Sequence, residues 1–197
     1  MAGLRERKKQ QTHDALSEAA IALFVKHGFY SVPVADIAAV VEVSKPTLFK
    51  YFPSKEDLVM HRIEDHRREA ARVVEASAEP PAAALRAYFL TGLANREPTT
   101  GLNDLPQVVA YYNLVFGTPA LATRLREFMD DDERALAEAL GGDLDAELLA
   151  AQLLSTRRIL AYRNWSAISR GQSADARYPT AVAEAEQAFE RLGYALG

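Results

Sequence analysis

Apolar residues in the first third of the chain recur at helical spacing. Leu16, Ala19, Ala20, Leu23 and Phe24 form an i, i+3, i+4 stripe, and Gly28 follows as a C-terminal stop. A second stripe, Val34, Ile37, Ala38 and Val41, comes after Val32-Pro33, where proline fixes the first turn and Asp36 sits near the positive end of the helix. After a short turn at Glu42-Val43, Ser44 is placed to cap a third helix that carries Leu48 and Phe52 inward. The run Ser54-Lys55-Glu56-Asp57 has capping-box spacing and predicts a fourth, long helix reaching about Ser77. Further on, Pro80-Pro81, "REPTTGLND", Gly117-Thr118-Pro119, Gly141-Gly142 and "SRGQSADARYP" divide the remainder into about five more helices. No segment sustains period-two alternation, so the expected fold is all-α, with about nine helices.

Two helices joined by a three- or four-residue turn, with small Ala38 where they approach and a polar start on the second, make a helix-turn-helix. Such a motif presents the N-terminal part of its second helix to the major groove. Lys45, Thr47, Lys50 and Tyr51 then lie opposite the inward Leu48 and Phe52, a cationic and hydroxyl set suited to phosphates and base edges. The candidate DNA-binding residues are Ser44, Lys45, Pro46, Thr47, Phe49, Lys50, Tyr51 and Lys55. Charge distribution agrees, although the whole chain is acidic at −4. Residues 1–63 hold 9 Lys+Arg against 7 Asp+Glu, and all six lysines precede residue 56. Arg5, Arg7, Lys8 and Lys9 form a candidate arm for phosphate or the minor groove.

The stretch "AAIALFVKHGFYSVPVADIAAVVEVSKPTLFKYFPSKEDL" resembles the DNA-binding domain of the TetR family of transcriptional regulators, over roughly residues 8 to 60. Gly28-Phe29, Ile37-Ala38, Val43-Ser44, Thr47-Leu48-Phe49, Phe52 and Ser54-Lys55-Glu56 fall in that family's order and spacing. Three positions depart from it. Pro33 stands where a capping threonine is common, Glu42 replaces the usual turn glycine, and Phe49 replaces a common tyrosine. The resemblance implies a three-helix head over residues 1–54 and a helical ligand-binding and dimerising body over 55–197.

Other chemistry is sparse. Absence of cysteine excludes disulfides, thiolate metal sites and cysteine nucleophiles. His61 and His66 are five apart, on different helix faces, so no metal site is expected. Without a glycine-rich phosphate loop or "GxSxG", nothing recommends an enzyme or a cofactor. The start lacks the apolar centre of a secretory signal, and no apolar run approaches the roughly 18 residues of a membrane helix, so a cytoplasmic location is expected.

The body concentrates aromatics with polar anchors. Tyr111, Tyr112, Asn113, Phe116, Tyr162, Arg163 and Trp165 are the candidate ligand-binding residues, for an effector that is largely apolar or aromatic. The final helices, about 145–170 and 177–195, carry the stripe Ala181, Ala185, Ala188, Phe189 and Leu192, a candidate close contact in a homodimer. The reading is a dimeric repressor released from a palindromic operator by a small molecule. Its rivals are a regulator controlled by a protein partner, and a helical enzyme or binding protein with a vestigial helix-turn-helix.

Overall fold

Helix α1 runs Ala2–His27 and ends at Gly28, whose φ of +87° allows the chain to leave the helix in a left-handed turn. The computed structural model describes residues 2–64 and 66–195, and every regular element among them is helical. Helix α2 spans Val34–Val40, α3 Lys45–Tyr51, α4 Asp57–Glu64, α5 Glu69–Glu75 and α6 Pro81–Ala94. A 3₁₀ turn, Pro98–Thr100, precedes α7 (Pro106–Gly117), α8 (Pro119–Ala139), α9 (Leu144–Ser169) and α10 (Ala174–Ala195). The exposed Arg7, Lys8 and Lys9 are helical, as the first turns of α1, while the Arg5 side chain lies outside the described residues.

One expectation needs correcting. The fourth helix does not continue to Ser77: α4 ends at Glu64, and Arg68 adopts φ 56° before α5 begins. The Arg68 backbone N–H donates to Asp132 Oδ1 at 2.8 Å, so a side chain 64 residues away supports a left-handed residue that local sequence would not select. Residue 65 lies outside the described residues. This division turns about nine helices into ten α-helices among the described residues.

Two compact units share the chain. The first comprises Met1–Asp65 with Ala110–Arg126. Its centre is the inward face of α1, with Leu16, Ala20 and Phe24 against Ile37, Leu48, Phe52 and Leu58, all essentially without solvent contact. Ser17 Oγ, itself buried, donates to Leu58 O at 2.8 Å and ties α1 to α4. The returning segment adds two anchors: Tyr111 OH donates to Val59 O at 3.0 Å, and Arg124 Nε donates to Asp57 Oδ1 at 2.9 Å.

The second unit comprises His66–Val109 with Glu127–Gly197. Leu85, Phe89 and Leu93 of α6 meet Leu153 and Leu160 of α9 and Ala181, Ala185 and Phe189 of α10 in one core. The alanine stripe therefore faces this chain's own interior, which corrects its reading as a subunit contact. Periodicity identifies an apolar face, but not what covers it.

At the 3₁₀ turn the chain presses on α9. Gly101 has φ +71°, and a Cβ there would lie 2.0 Å from Ala161 O. Beside it Asn164, 1% exposed, donates to Thr100 O at 3.0 Å and accepts from Arg177 Nε at 3.0 Å.

Candidate nucleic-acid interface

Helix α3 begins as its sequence requires. Ser44 is extended, with φ −77° and ψ 152°, and its Oγ accepts from Thr47 N at 3.2 Å. The hydroxyls of Ser44 and Thr47 are also hydrogen-bonded at 2.7 Å, so the Thr47 side chain is held by the cap. Leu48 is the buried pivot of the helix, while Lys45, Pro46, Phe49 and Lys50 face solvent. Lys45 Nζ lies 5.9 Å from the centre of the Phe49 ring, itself 40% exposed, and this contact steadies a long side chain at the N-terminal end. Tyr51 is half-buried and leans on His13, with ring centres 6.1 Å apart.

The turn before α3 departs from ordinary geometry at one residue. Glu42 has φ 55°, the left-handed conformation that its replacement of glycine implied. Val43 N donates to Ala38 O at 2.9 Å and holds the turn closed.

Lys55 stands apart from the other candidates. Its Nζ donates to Phe29 O at 2.5 Å and sits over the rings of Phe29 and Phe24, at 4.5 and 5.1 Å. Burial lowers its pKa below the usual lysine value, with Glu56 opposing the shift. Its charge is turned into the head. Next to it the capping box is reciprocal: Ser54 N donates to Asp57 Oδ2 and Asp57 N donates to Ser54 Oγ, both at 3.1 Å.

A helix-turn-helix with a cationic, solvent-facing second helix can grip phosphate and reach into a groove. Residues 16–61 match the bacterial regulatory proteins of the tetR family. The HTH-type transcriptional regulator TcmR of Streptomyces glaucescens is 33% identical over 150 residues, which cover 73% of this chain and 66% of that one. The chain belongs to the TetR family of transcriptional regulators.

Further similarity extends beyond the head of this TetR regulator. The nucleoid occlusion factor SlmA of Klebsiella pneumoniae is 27% identical over 167 residues, 79% of this chain and 83% of that one. The fold is like that of NalD, the secondary repressor of the MexAB-OprM multidrug efflux pump in Pseudomonas aeruginosa. The TM-score is 0.61 at 12% identity, over 92% of this chain and 97% of that one. The family is one of DNA-binding regulators and not of enzymes. No helix among the described residues is long and apolar enough to cross a membrane.

The seven candidate ligand residues fall into separate groups. Tyr111, Tyr112, Asn113 and Phe116 belong to the first unit, where Tyr111 is buried and Tyr112 stacks on Phe116 with ring centres 5.8 Å apart. Asn113 is exposed. In the second unit Tyr162 is 52% exposed and tilts against Trp165, ring centres 5.2 Å apart. Arg163 donates from Nη2 to Glu184 Oε1 at 2.5 Å, and Arg177 shares the same carboxylate.

A cavity of about 110 Å³ in the second unit is lined instead by Tyr88, Phe89, Gly92, Asn95, Thr99 and Arg157. Arg157, in its lining, belongs to a charge cluster that sequence spacing did not reveal. Glu69 Oε1 meets His66 Nδ1 at 2.7 Å, and Arg157 Nη2 donates to Glu69 Oε2 at 3.2 Å. Burial alone would raise the Glu69 pKa, but hydrogen bonds from His66 and Tyr88, together with the Arg157 charge, hold it at about 2. Burial and the Glu69 carboxylate push Tyr88 up to about 12.

Proposed function

We propose that this regulator is a cytoplasmic homodimeric repressor that grips a palindromic operator through α3 and releases it when an apolar or aromatic small molecule enters the body. Residues 1–54 act as the DNA-binding head, and residues 55–197 as the ligand-binding and dimerising body. The observation that carries the reading is the solvent-facing pair Lys45 and Lys50 flanking Thr47 on a helix whose other side is locked by Leu48. Selection of bound duplexes from random DNA should enrich a two-fold symmetric site. Failure to enrich any sequence would sink the operator reading.

Lys50→Ala should weaken binding and lower the salt slope by about one, as one phosphate contact disappears. Lys55 makes the informative control, since its ammonium is engaged by Phe29 O. Lys55→Ala should lower thermal stability and leave the salt slope unchanged. A lowered slope at unchanged stability would return Lys55 to the DNA surface.

With the alanine stripe of α10 turned inward, exposed apolar residues of α9 offer the better dimer contact. Leu148, Ile159 and Tyr162 are 52%, 56% and 52% exposed, and their spacing places them on one helix face. Ile159→Arg would put a charge at the centre of such a face. Sedimentation of this variant at micromolar concentration should show monomer, and a persistent dimer would move the interface elsewhere.

The cavity at Tyr88 and Arg157 is smaller than the roughly 300 Å³ of an ordinary ligand site, so an effector of that size requires its walls to part. This favours keeping the second reading, control by a protein partner, alongside the first. Screening apolar and aromatic metabolites for release of the selected operator separates the two.

A further inference from the structure

We infer that His13, His61 and Glu64 form a binding site for one divalent transition-metal ion, with zinc the best match, where α1 meets α4. The site goes beyond operator and effector binding, and neither depends on it.

One nitrogen from each imidazole and a Glu64 carboxylate oxygen all lie within 4.8 Å of one another. His61 and Glu64 are three apart on α4, the spacing that places two side chains on one helix face. His13 comes from α1, and its orientation is fixed independently. It stacks on Phe52 with centroids 4.2 Å apart, and meets His61 edge-on at 4.1 Å.

His13 Nδ1 is buried and makes no hydrogen bond; Asp14 Oδ1 stands 3.9 Å from it, beyond hydrogen-bond reach. A buried ring nitrogen without a hydrogen bond calls for an explanation, and coordination supplies one. His61 points the same way. Its Nε2 lies 3.1 Å from Asp14 Oδ1 and its Nδ1 3.4 Å from Glu64 Oε2. In the tautomer that donates Nε2–H to Asp14, Nδ1 offers its lone pair on the side of Glu64. A cation there would take that lone pair and a Glu64 oxygen together. Asp14 then braces the ligating histidine through its other nitrogen, as carboxylates commonly do in metal sites.

The dimensions fit a modest adjustment. Zinc bonds of about 2.0–2.2 Å in a tetrahedron set donor atoms roughly 3.3 Å apart, and the Glu64 side chain, 46% exposed, is free to close the difference. Two nitrogens and one oxygen suit zinc, and three protein ligands leave a fourth position for water.

The test is a zinc titration of the full chain, stripped with chelator and followed by calorimetry at pH 7.5. One ion per chain is expected, with a Kd below about 10 μM that weakens more than tenfold in both His13→Gln and Glu64→Gln. Asp14→Asn should cost about tenfold by releasing the brace. His66→Gln, whose ring pairs with Glu69, should leave the affinity unchanged. Cobalt substituted in the wild type should give the visible absorption of a tetrahedral site. Because Glu64 is half-exposed, its variant keeps the readout if His13→Gln fails to fold. Absence of saturable binding would mean that the two imidazoles and Glu64 only pack together where α1 meets α4. That result, or wild-type affinity in a folded His13→Gln or Glu64→Gln protein, overturns the site.

Discussion

Gly101→Ala is expected to cost about 3–4 kcal/mol, enough to lower the melting temperature by roughly 10 °C. Two penalties combine. The residue occupies φ +71°, where a side chain adds about 1 kcal/mol of strain, and its new methyl would stand 2.0 Å from Ala161 O and 2.9 Å from Trp165 N. Both obstacles belong to the backbone of α9, so no rotamer change relieves them. Relaxation must instead pull the 3₁₀ turn away from α9 and stretch the bond from Asn164 to Thr100 O. Thermal unfolding of the variant measures the effect. A loss under 1 kcal/mol would mean that the close approach is not maintained in solution.

The second large effect is expected at Glu69. Its carboxyl is held at about 2, against an ordinary 4.5, so its contribution is fully present above pH 4.5 and is lost as pH falls towards 2. After allowance for solvent screening of a partly accessible group, that contribution is about 2 kcal/mol. Glu69→Gln should therefore be less stable than the wild type by about that amount at pH 7, and the two stability curves should converge near pH 2. Parallel curves across this range would show that the ion pair with Arg157 contributes through packing rather than charge. Denaturant unfolding at stepped pH distinguishes the outcomes.

What the sequence disclosed followed the range of the interactions concerned. Gly28, the Ser44 cap and the reciprocal bonds of Ser54 and Asp57 act over three or four residues, and each is readable from spacing alone. Glu42 was legible through the family resemblance, which puts a turn glycine at its position. Lys55 was not, since the carbonyl and the rings that hold it lie 26 or more residues earlier. The break before α5 was equally hidden. "HRREAAR" contains neither glycine nor proline, and the Asp132 carboxylate that supports Arg68 comes from α8. The cluster of His13, His61 and Glu64 was hidden as well, because His13 lies 48 positions before His61 on another helix. As for the alanine stripe, its period was correct and its direction was supplied by α6 and α9.

The return of Ala110–Arg126 to the first unit bears on how this head could be reused. Grafting residues 1–65 onto another regulator's body would leave Val59 O without the Tyr111 hydroxyl, and Asp57 without Arg124. The recipient's own helices at those places would have to supply a matching donor and cation. A chimera meant to transfer operator choice therefore has to move two stretches of chain together, or confine the exchange to the outward residues of α3. The second course leaves Leu48 and the Ser44 cap untouched, so new base contacts can be written on the helix without disturbing what holds it.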